Sequence, residues 1–122
     1  MTDLAPDHSR TWPVVTSQEV NEHEASLQIE IPADLLYFEG HFEGNPVLPG
    51  VVQTHWAEHY GRALLGVTGR FSHLEVIKFQ RIITPNEQIT LALSYNLDKQ
   101  KLTFKYQSKA GEHSSGRICY VD

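Results

Sequence analysis

The sequence predicts an α+β domain in which an antiparallel sheet wraps a single long helix, and three patterns carry that prediction. One is an apolar repeat at helical spacing after Pro49. Another is an alternating stretch before it, and the third is a series of four apolar or alternating stretches behind it, separated by turns of hairpin length. A sheet with only one helix to cover has to curve around that helix to bury it. The 122 residues suit one domain over positions 1–122, long enough for a real core and small enough that a further interface would help.

Residues 1–12 read as a polar, proline-containing leader, poorly ordered at its tip. The stretch "EASLQIEIP", 24–32, alternates Leu27, Ile29 and Ile31 with Gln28 and Glu30, the mark of a half-buried strand that Pro32 closes. Next, "ADLLYFEGHFEGNPVLPG", 33–50, holds Gly40, Gly44, Pro46, Pro49 and Gly50 and reads as a loop. It is longer than most, and long loops in compact domains tend to carry function. From Pro49 the residues Val52, Trp56, Tyr60, Ala63 and Leu64 recur as one face of an amphipathic helix of about four turns. Proline suits the first turn of such a helix, and Gly66 and Gly69 end it. The stretches "FSHLEVIKFQRIIT" (71–84), "EQITLALSYNL" (87–97), "KLTFKYQS" (101–108) and "SSGRICYV" (114–121) follow. Their breaks, "TPNE", "LDKQ" and "KAGEHS", carry turn chemistry, so the four are expected to form an antiparallel meander.

Composition narrows the function. The formal charge is −5 and the cations are scattered, which leaves no electrostatic footprint for a nucleic acid. Lys78, Arg81, Arg62 and Arg70 are the candidates for a local basic patch toward an acidic carrier or phosphate, set against their plainer reading as solvated charges. No window approaches the roughly 18 apolar residues of a membrane span, and the N-terminus lacks the basic and apolar regions of a signal peptide, so a cytoplasmic protein is expected. Cys119, the single cysteine, can form no internal disulfide and reads as a buried structural thiol.

The chemistry gathers in "YFEGHFEGNPVLPGVVQTHWAEHY", 37–60, where three histidines surround a glycine-rich loop and a helix start. "HWAEH", 55–59, has the form of a zinc helix, but a domain with one helix offers little scaffold for a third ligand and a cleft, so no metal is expected. On a plainer reading His55, Glu58 and His59 are the polar flank of the helix and His41 satisfies turn carbonyls. That reading leaves unexplained why a Pro-Gly step is delivered at a helix N-terminus, where spare N–H groups and positive potential favour an oxygen carrying negative charge. Histidine beside it adds a group that titrates near neutrality.

With its spacing, His41-Phe42-x-Gly44-x-Pro46-x-x-Pro49-Gly50-Val51 resembles the active-site loop of the bacterial 3-hydroxyacyl-[acyl carrier protein] dehydratases, the FabA/FabZ kind. "KFQRIITPNEQITL", 78–91, is similar to that family's Lys/Arg-Phe-x-Arg strand, Pro-turn and next strand, so the resemblance covers roughly residues 25–120. "IPADLLYFEGHF", "LPGVVQTHWA" and "SSGRI" look closer still to the ApeI-like dehydratases of aryl-polyene biosynthesis clusters. The resemblance implies a hotdog fold, dehydration of a 3-hydroxyacyl thioester on acyl carrier protein, no cofactor, and a homodimer whose sites take the loop histidine and the helix acid from opposite chains.

Carried over by position, His41 is the base that removes the α-proton, and the Gly50 amide holds the thioester carbonyl. Abstraction beside a carbonyl builds an enolate-like oxygen, and losing one preformed donor to it costs about two to three orders of magnitude in rate. The family's helix carboxylate falls on His55, a departure; as an imidazolium His55 can still protonate a leaving hydroxyl. Glu58, one turn on, is a substitute carboxylate or a solvated helix residue. Phe42, Pro49, Val51, Gln53 and Trp56 are placed at the substrate, and Trp56, Tyr60 and Phe79 are bulky enough to shorten a tunnel. Two other functions fit the same features: a hotdog thioesterase with Glu58 as base, and a non-catalytic subunit that binds acyl carrier protein or a ketosynthase-like partner.

Overall fold

The computed structural model describes residues 10–39 and 46–122. Strands β1 (Val14–Val20) and β2 (Glu24–Glu30) precede a short 3-10 turn (Leu36–Phe38), helix α1 (Gly50–Leu65), and strands β3 (Arg70–Phe79), β4 (Gln88–Asn96), β5 (Lys101–Ser108) and β6 (Gly111–Val121). All neighbours are antiparallel, in the order β1-β2-β4-β5-β6-β3. One helix wrapped by a curved antiparallel sheet is the hotdog arrangement that the resemblance implies. Among the described residues no helix is long and apolar enough to cross a membrane.

Register builds the core in rows. Leu27, Leu91, Tyr106 and Ser114 face one another across β2, β4, β5 and β6, and Ala25, Leu93, Phe104 and Gly116 form the next row. Onto these rows α1 buries Val52, Gln53, Trp56, Ala57, Gly61 and Leu65. This face is turned from the expected one: Ala63 is exposed, and Tyr60 and Leu64 are only half-buried. Close approach of helix and sheet explains the difference, because it selects for small residues that hydropathy does not mark. A Cβ on Gly61 would stand 2.4 Å from Leu102 Cδ2, a fully buried side chain.

One strand goes unpredicted, one expectation is corrected, and the end of the leader gains a place. The stretch "VVTSQEV", exposed along nearly its whole length, pairs with β2 as an edge strand, since backbone hydrogen bonds need no alternating side chains. The last four strands are not one meander: β4, β5 and β6 are, but β3 pairs with β6, and residues 80–87 cross to the other side of the sheet. The strand expected to reach Thr84 therefore stops at Phe79, and the Gln80 and Arg81 N–H groups both donate to the His113 carbonyl at 2.9 and 3.1 Å. Finally, residues 10–12, the end of the expected leader, pack onto the domain. Trp56 Nε1 donates to the Thr11 carbonyl at 2.9 Å, Leu36 N donates to the Arg10 carbonyl at 2.7 Å, and Arg10 pairs with Asp34 at 3.0 Å.

β3 carries the irregularity with most consequence for the site. Between Glu75 and Lys78 its register to β6 slips, so Val76 and Ile77 together oppose Gly116. Leu74 faces the helix before the bulge; without the bulge Val76 and Lys78 would follow it inward, whereas with it Ile77 and Phe79 do. Val76 takes φ +46°, a left-handed backbone that a β-branched residue rarely adopts. On the opposite face Glu75 joins three strands, accepting from Lys101 at 3.0 Å and facing Arg117 at 3.3 Å. The Lys101 hydrogen bond, then that of His73, holds the Glu75 carboxyl at about 2.

Two stability outcomes follow. Gly61→Val is expected to destabilise the fold by about 1–3 kcal/mol through overpacking against Leu102, measured by urea denaturation; an unchanged midpoint would refute the close approach. Val76→Gly relieves about 1–2 kcal/mol of left-handed strain against about 0.5–1 kcal/mol of added chain entropy, so the same assay should show a stabilised variant, and a clear loss of stability would contradict the strained bulge.

Candidate active site

The site is built around the N-terminus of α1. Pro49 caps it in extended backbone, and its carbonyl accepts the Val52 and Gln53 N–H groups at 3.1 and 3.2 Å. Among the described residues no acceptor faces the Gly50 and Val51 N–H groups, and the first turn holds no acidic side chain to offset the positive end of the helix. Gln53 fixes this end in place. Its Nε2 donates to the Leu48 carbonyl at 3.2 Å, its Oε1 accepts from Ser114 Oγ at 2.6 Å, and its backbone carbonyl accepts from Tyr106 Oη at 2.7 Å. Burial, then the charge of Tyr60, pushes the Tyr106 hydroxyl well up, which keeps it a donor.

Two cavities meet at this helix start. One, of about 400 Å³, lies between α1 and β3, with Gly50, Val51, Thr54, His55 and Glu58 on the helix side and Phe71, Leu74, Ile77 and Phe79 on the strand side. The other, of about 270 Å³, is lined by Val47, Leu48 and Pro49 together with Gln53 and residues 79–82. Gly50 and Phe79 line both.

The structure thus brings together Gly50, Val51, His55 and Glu58 in one cavity, with Pro49 and Gln53 at the other. His41 and Phe42 lie outside the described residues. Trp56 is fully buried in the core, with its indole N–H on the Thr11 carbonyl, and so lines neither cavity. Gln53 has both ends of its amide committed to Leu48 and Ser114, a structural use of a residue placed at the substrate from sequence. Glu58 is partly covered and lies 3.4 Å from Arg62 Nη2 one turn on. His59 is on the outside of the helix, where the Trp12 ring packs 4.3 Å from it and 5.3 Å from His55. Of the four basic candidates, Arg62 also donates to the Gly69 carbonyl and Arg70 to the Asp122 carbonyl, while exposed Lys78 and Arg81 flank Phe79.

Sequence reading missed Thr54 and the strand wall of Phe71, Leu74 and Ile77. The wall's signal was the apolar content of the stretch 71–84, whereas Thr54 carried none. For metal, the described residues offer one cluster, His73, Glu75 and Cys119, with ligand atoms within 4.8 Å of one another. It makes a poor cation site: Lys101 and Arg117 already occupy the Glu75 carboxylate, and burial, then the Glu75 charge, pushes the Cys119 thiol up and keeps it protonated.

The chain matches the family model described as ApeI-like, ApeI dehydratase, over residues 17–117. It is 38% identical to the 3-hydroxyacyl-[acyl-carrier-protein] dehydratase FabZ of Oenococcus oeni, a match covering 53% of this chain and 50% of that protein. The chain therefore spans about half the length of the curated relatives it matches. Two solved structures are similar over far more of their length. The dehydratase heterocomplex ApeI:P from Xenorhabdus doucetiae includes a chain with a TM-score of 0.84 and 34% identity, covering 91% of this chain and 99% of that one. A protein from Erwinia carotovora subsp. atroseptica gives a TM-score of 0.80 at 34% identity, covering 90% and 96%. With a match over residues 17–117 and a helix start that opens on an apolar cavity, the chain belongs to the ApeI-like dehydratase family.

Proposed function

We propose that the protein removes water from a 3-hydroxyacyl thioester on acyl carrier protein to give a 2-enoyl thioester, in fatty-acid-like or aryl-polyene biosynthesis in the cytoplasm. The observation that carries the reading is the helix start: among the described residues the Gly50 and Val51 N–H groups have no acceptor, and both residues line an apolar cavity. His41 takes the α-proton, and the electron pair moves into the carbonyl, whose developing oxyanion the Gly50 amide holds. The enolate then collapses, the C3–O bond breaks, and the hydroxyl leaves as water with a proton from the imidazolium of His55. The apolar walls Phe71, Leu74 and Ile77 keep bulk water from the enolate.

The catalytic unit on this reading is a homodimer with two composite sites, each using His41 of one subunit and His55 of the other. The β3 edge supports it: Phe71, Leu74, Val76 and Phe79 are all exposed on a strand with one neighbour, and such an edge invites pairing. A second reading has its own observation. The ApeI:P structure is a heterocomplex, and His55 stands where a carboxylate is expected, so this chain works beside a different subunit that supplies the missing acid.

His41→Ala and His55→Ala should each lower hydration of a 2-enoyl thioester roughly 10²–10⁴-fold. Mixing and refolding the two variants together should restore a measurable fraction of wild-type turnover, since mixed dimers regain one intact site. Unchanged rates in His41→Ala would sink the base assignment, and a mixture as inactive as its parts would sink the composite site. Light scattering of the purified chain should give a dimer at micromolar concentration; a monomer that becomes active only with a second subunit would favour the heterotypic reading instead.

A further inference from the structure

The ring of Phe79 lies on Gly50. A Cβ at position 50 would stand 2.5 Å from Phe79 Cζ and 2.8 Å from Cε1, so only glycine leaves room for the ring there. The same two residues are the ones shared by the 400 Å³ cavity beside His55 and the 270 Å³ cavity behind Leu48, so both cavities abut Phe79. Its backbone is held hard. Phe79 pairs with Ser114, the next two N–H groups donate to the His113 carbonyl, and the buried His113 ring is tied to the Ile82 carbonyl and Ser108 Oγ at 3.0 and 2.7 Å. Within a single subunit its side chain is held loosely, being 55% exposed. A fixed backbone with a half-solvated ring on a bare glycine leaves one motion, rotation of the ring off Gly50, and exposed side chains make such moves in picoseconds to nanoseconds.

We propose that Phe79 sets which acyl chains the protein accepts, by gating the passage between the two cavities. The inference rests on the dehydratase reading only for the identity of the ligand, a thioester whose carbonyl sits on the Gly50 amide and therefore at the junction. A short acyl chain lies in the His55 cavity with the ring in place. A longer one reaches the second cavity only by displacing the ring, so the cost of displacement falls on long substrates alone. Phe79 is on this account a specificity residue that acts on binding rather than on the chemical step.

The test compares a short and a long 2-enoyl thioester with wild type, Phe79→Ala and Phe79→Trp, reading KM and kcat separately. Calorimetric affinity for the matching saturated thioesters is measured alongside, and light scattering checks that each variant keeps the wild-type assembly. Phe79→Ala should raise the long-to-short ratio of kcat/KM roughly tenfold, through KM, and Phe79→Trp should lower it. Ratios unchanged in both variants, or a change confined to kcat, would overturn the gate. Should Phe79→Ala fail to fold, the larger Phe79→Trp side chain decides alone. A protein that binds the saturated thioesters but hydrates neither enoyl substrate fails the dehydratase reading, and the binding ratios then still decide the role of Phe79. Binding of neither thioester overturns both.

Discussion

The placement of the helix start depends on one buried residue. Gln53 is 3% exposed, and its three hydrogen-bond connections run to Leu48 in the entering loop, Ser114 in β6 and Tyr106 in β5. Leaving any one of these buried groups unpaired costs about 1–3 kcal/mol, so rotating or sliding α1 would break several at once. The result is that the first turn, and with it the Gly50 amide, is referenced to the sheet. Leu48 N, which donates to the Ile83 carbonyl at 2.8 Å, ties the same point to the crossover after β3. On the proposed reading that amide faces a developing oxyanion, and such a donor needs a fixed aim, because its advantage over water lies in not having to reorganise.

A second constraint follows from the sheet's asymmetry. One edge, β1, is polar and exposed, and the other, β3, turns an apolar face past the end of the helix. The bulge at Val76 decides which side chains that face presents. By adding one residue it puts Ile77, rather than Val76, against Gly116 and Phe104 and sends Lys78 to the outer face. A charged ammonium in the cavity would be costly to desolvate. The strained residue is thus placed where its cost is offset by an apolar cavity wall beside the candidate site.

How much of this was legible varies with what encodes it. The β2 strand and the residue after it carry a period-2 pattern of fully buried Leu27, Ile29 and Ile31, and the helix start is a Pro-Gly step, so both are written locally and can be read locally. The β1 strand is written in its partner: only the backbone of β2 gives "VVTSQEV" a reason to extend. Likewise, the crossover after Phe79 is decided by His113, far along the chain, whose carbonyl takes the two N–H groups that would otherwise continue the strand. Gln53 read as a polar side chain for substrate because hydropathy cannot distinguish a residue that meets a ligand from one that meets Ser114 and Leu48. Trp56 misled for the converse reason, a large aromatic next to the motif that serves the core and the N-terminal segment instead.

Helix geometry bears on whether one chain can supply both halves of the chemistry. Gly50 and His55 are five residues apart in α1, which at about 1.5 Å and about 100° per residue separates them by roughly 7.5 Å along the axis and roughly 140° around it. In a 3-hydroxyacyl thioester the carbonyl carbon and the carbon bearing the hydroxyl are two bonds apart. A carbonyl seated on the Gly50 amide therefore keeps its hydroxyl near the first turn, while the imidazole of the same helix starts more than a turn further on. His55 leans back toward the N-terminus, as helical side chains do, but it has the width of the cavity to cross as well. A second helix brought up against the β3 edge has no such restriction, because its His55 approaches across the cavity instead of along the axis. The spacing that puts a histidine at position 55 thus supports a site completed by another subunit, and the exposed apolar edge of β3 supplies the surface on which that subunit would sit.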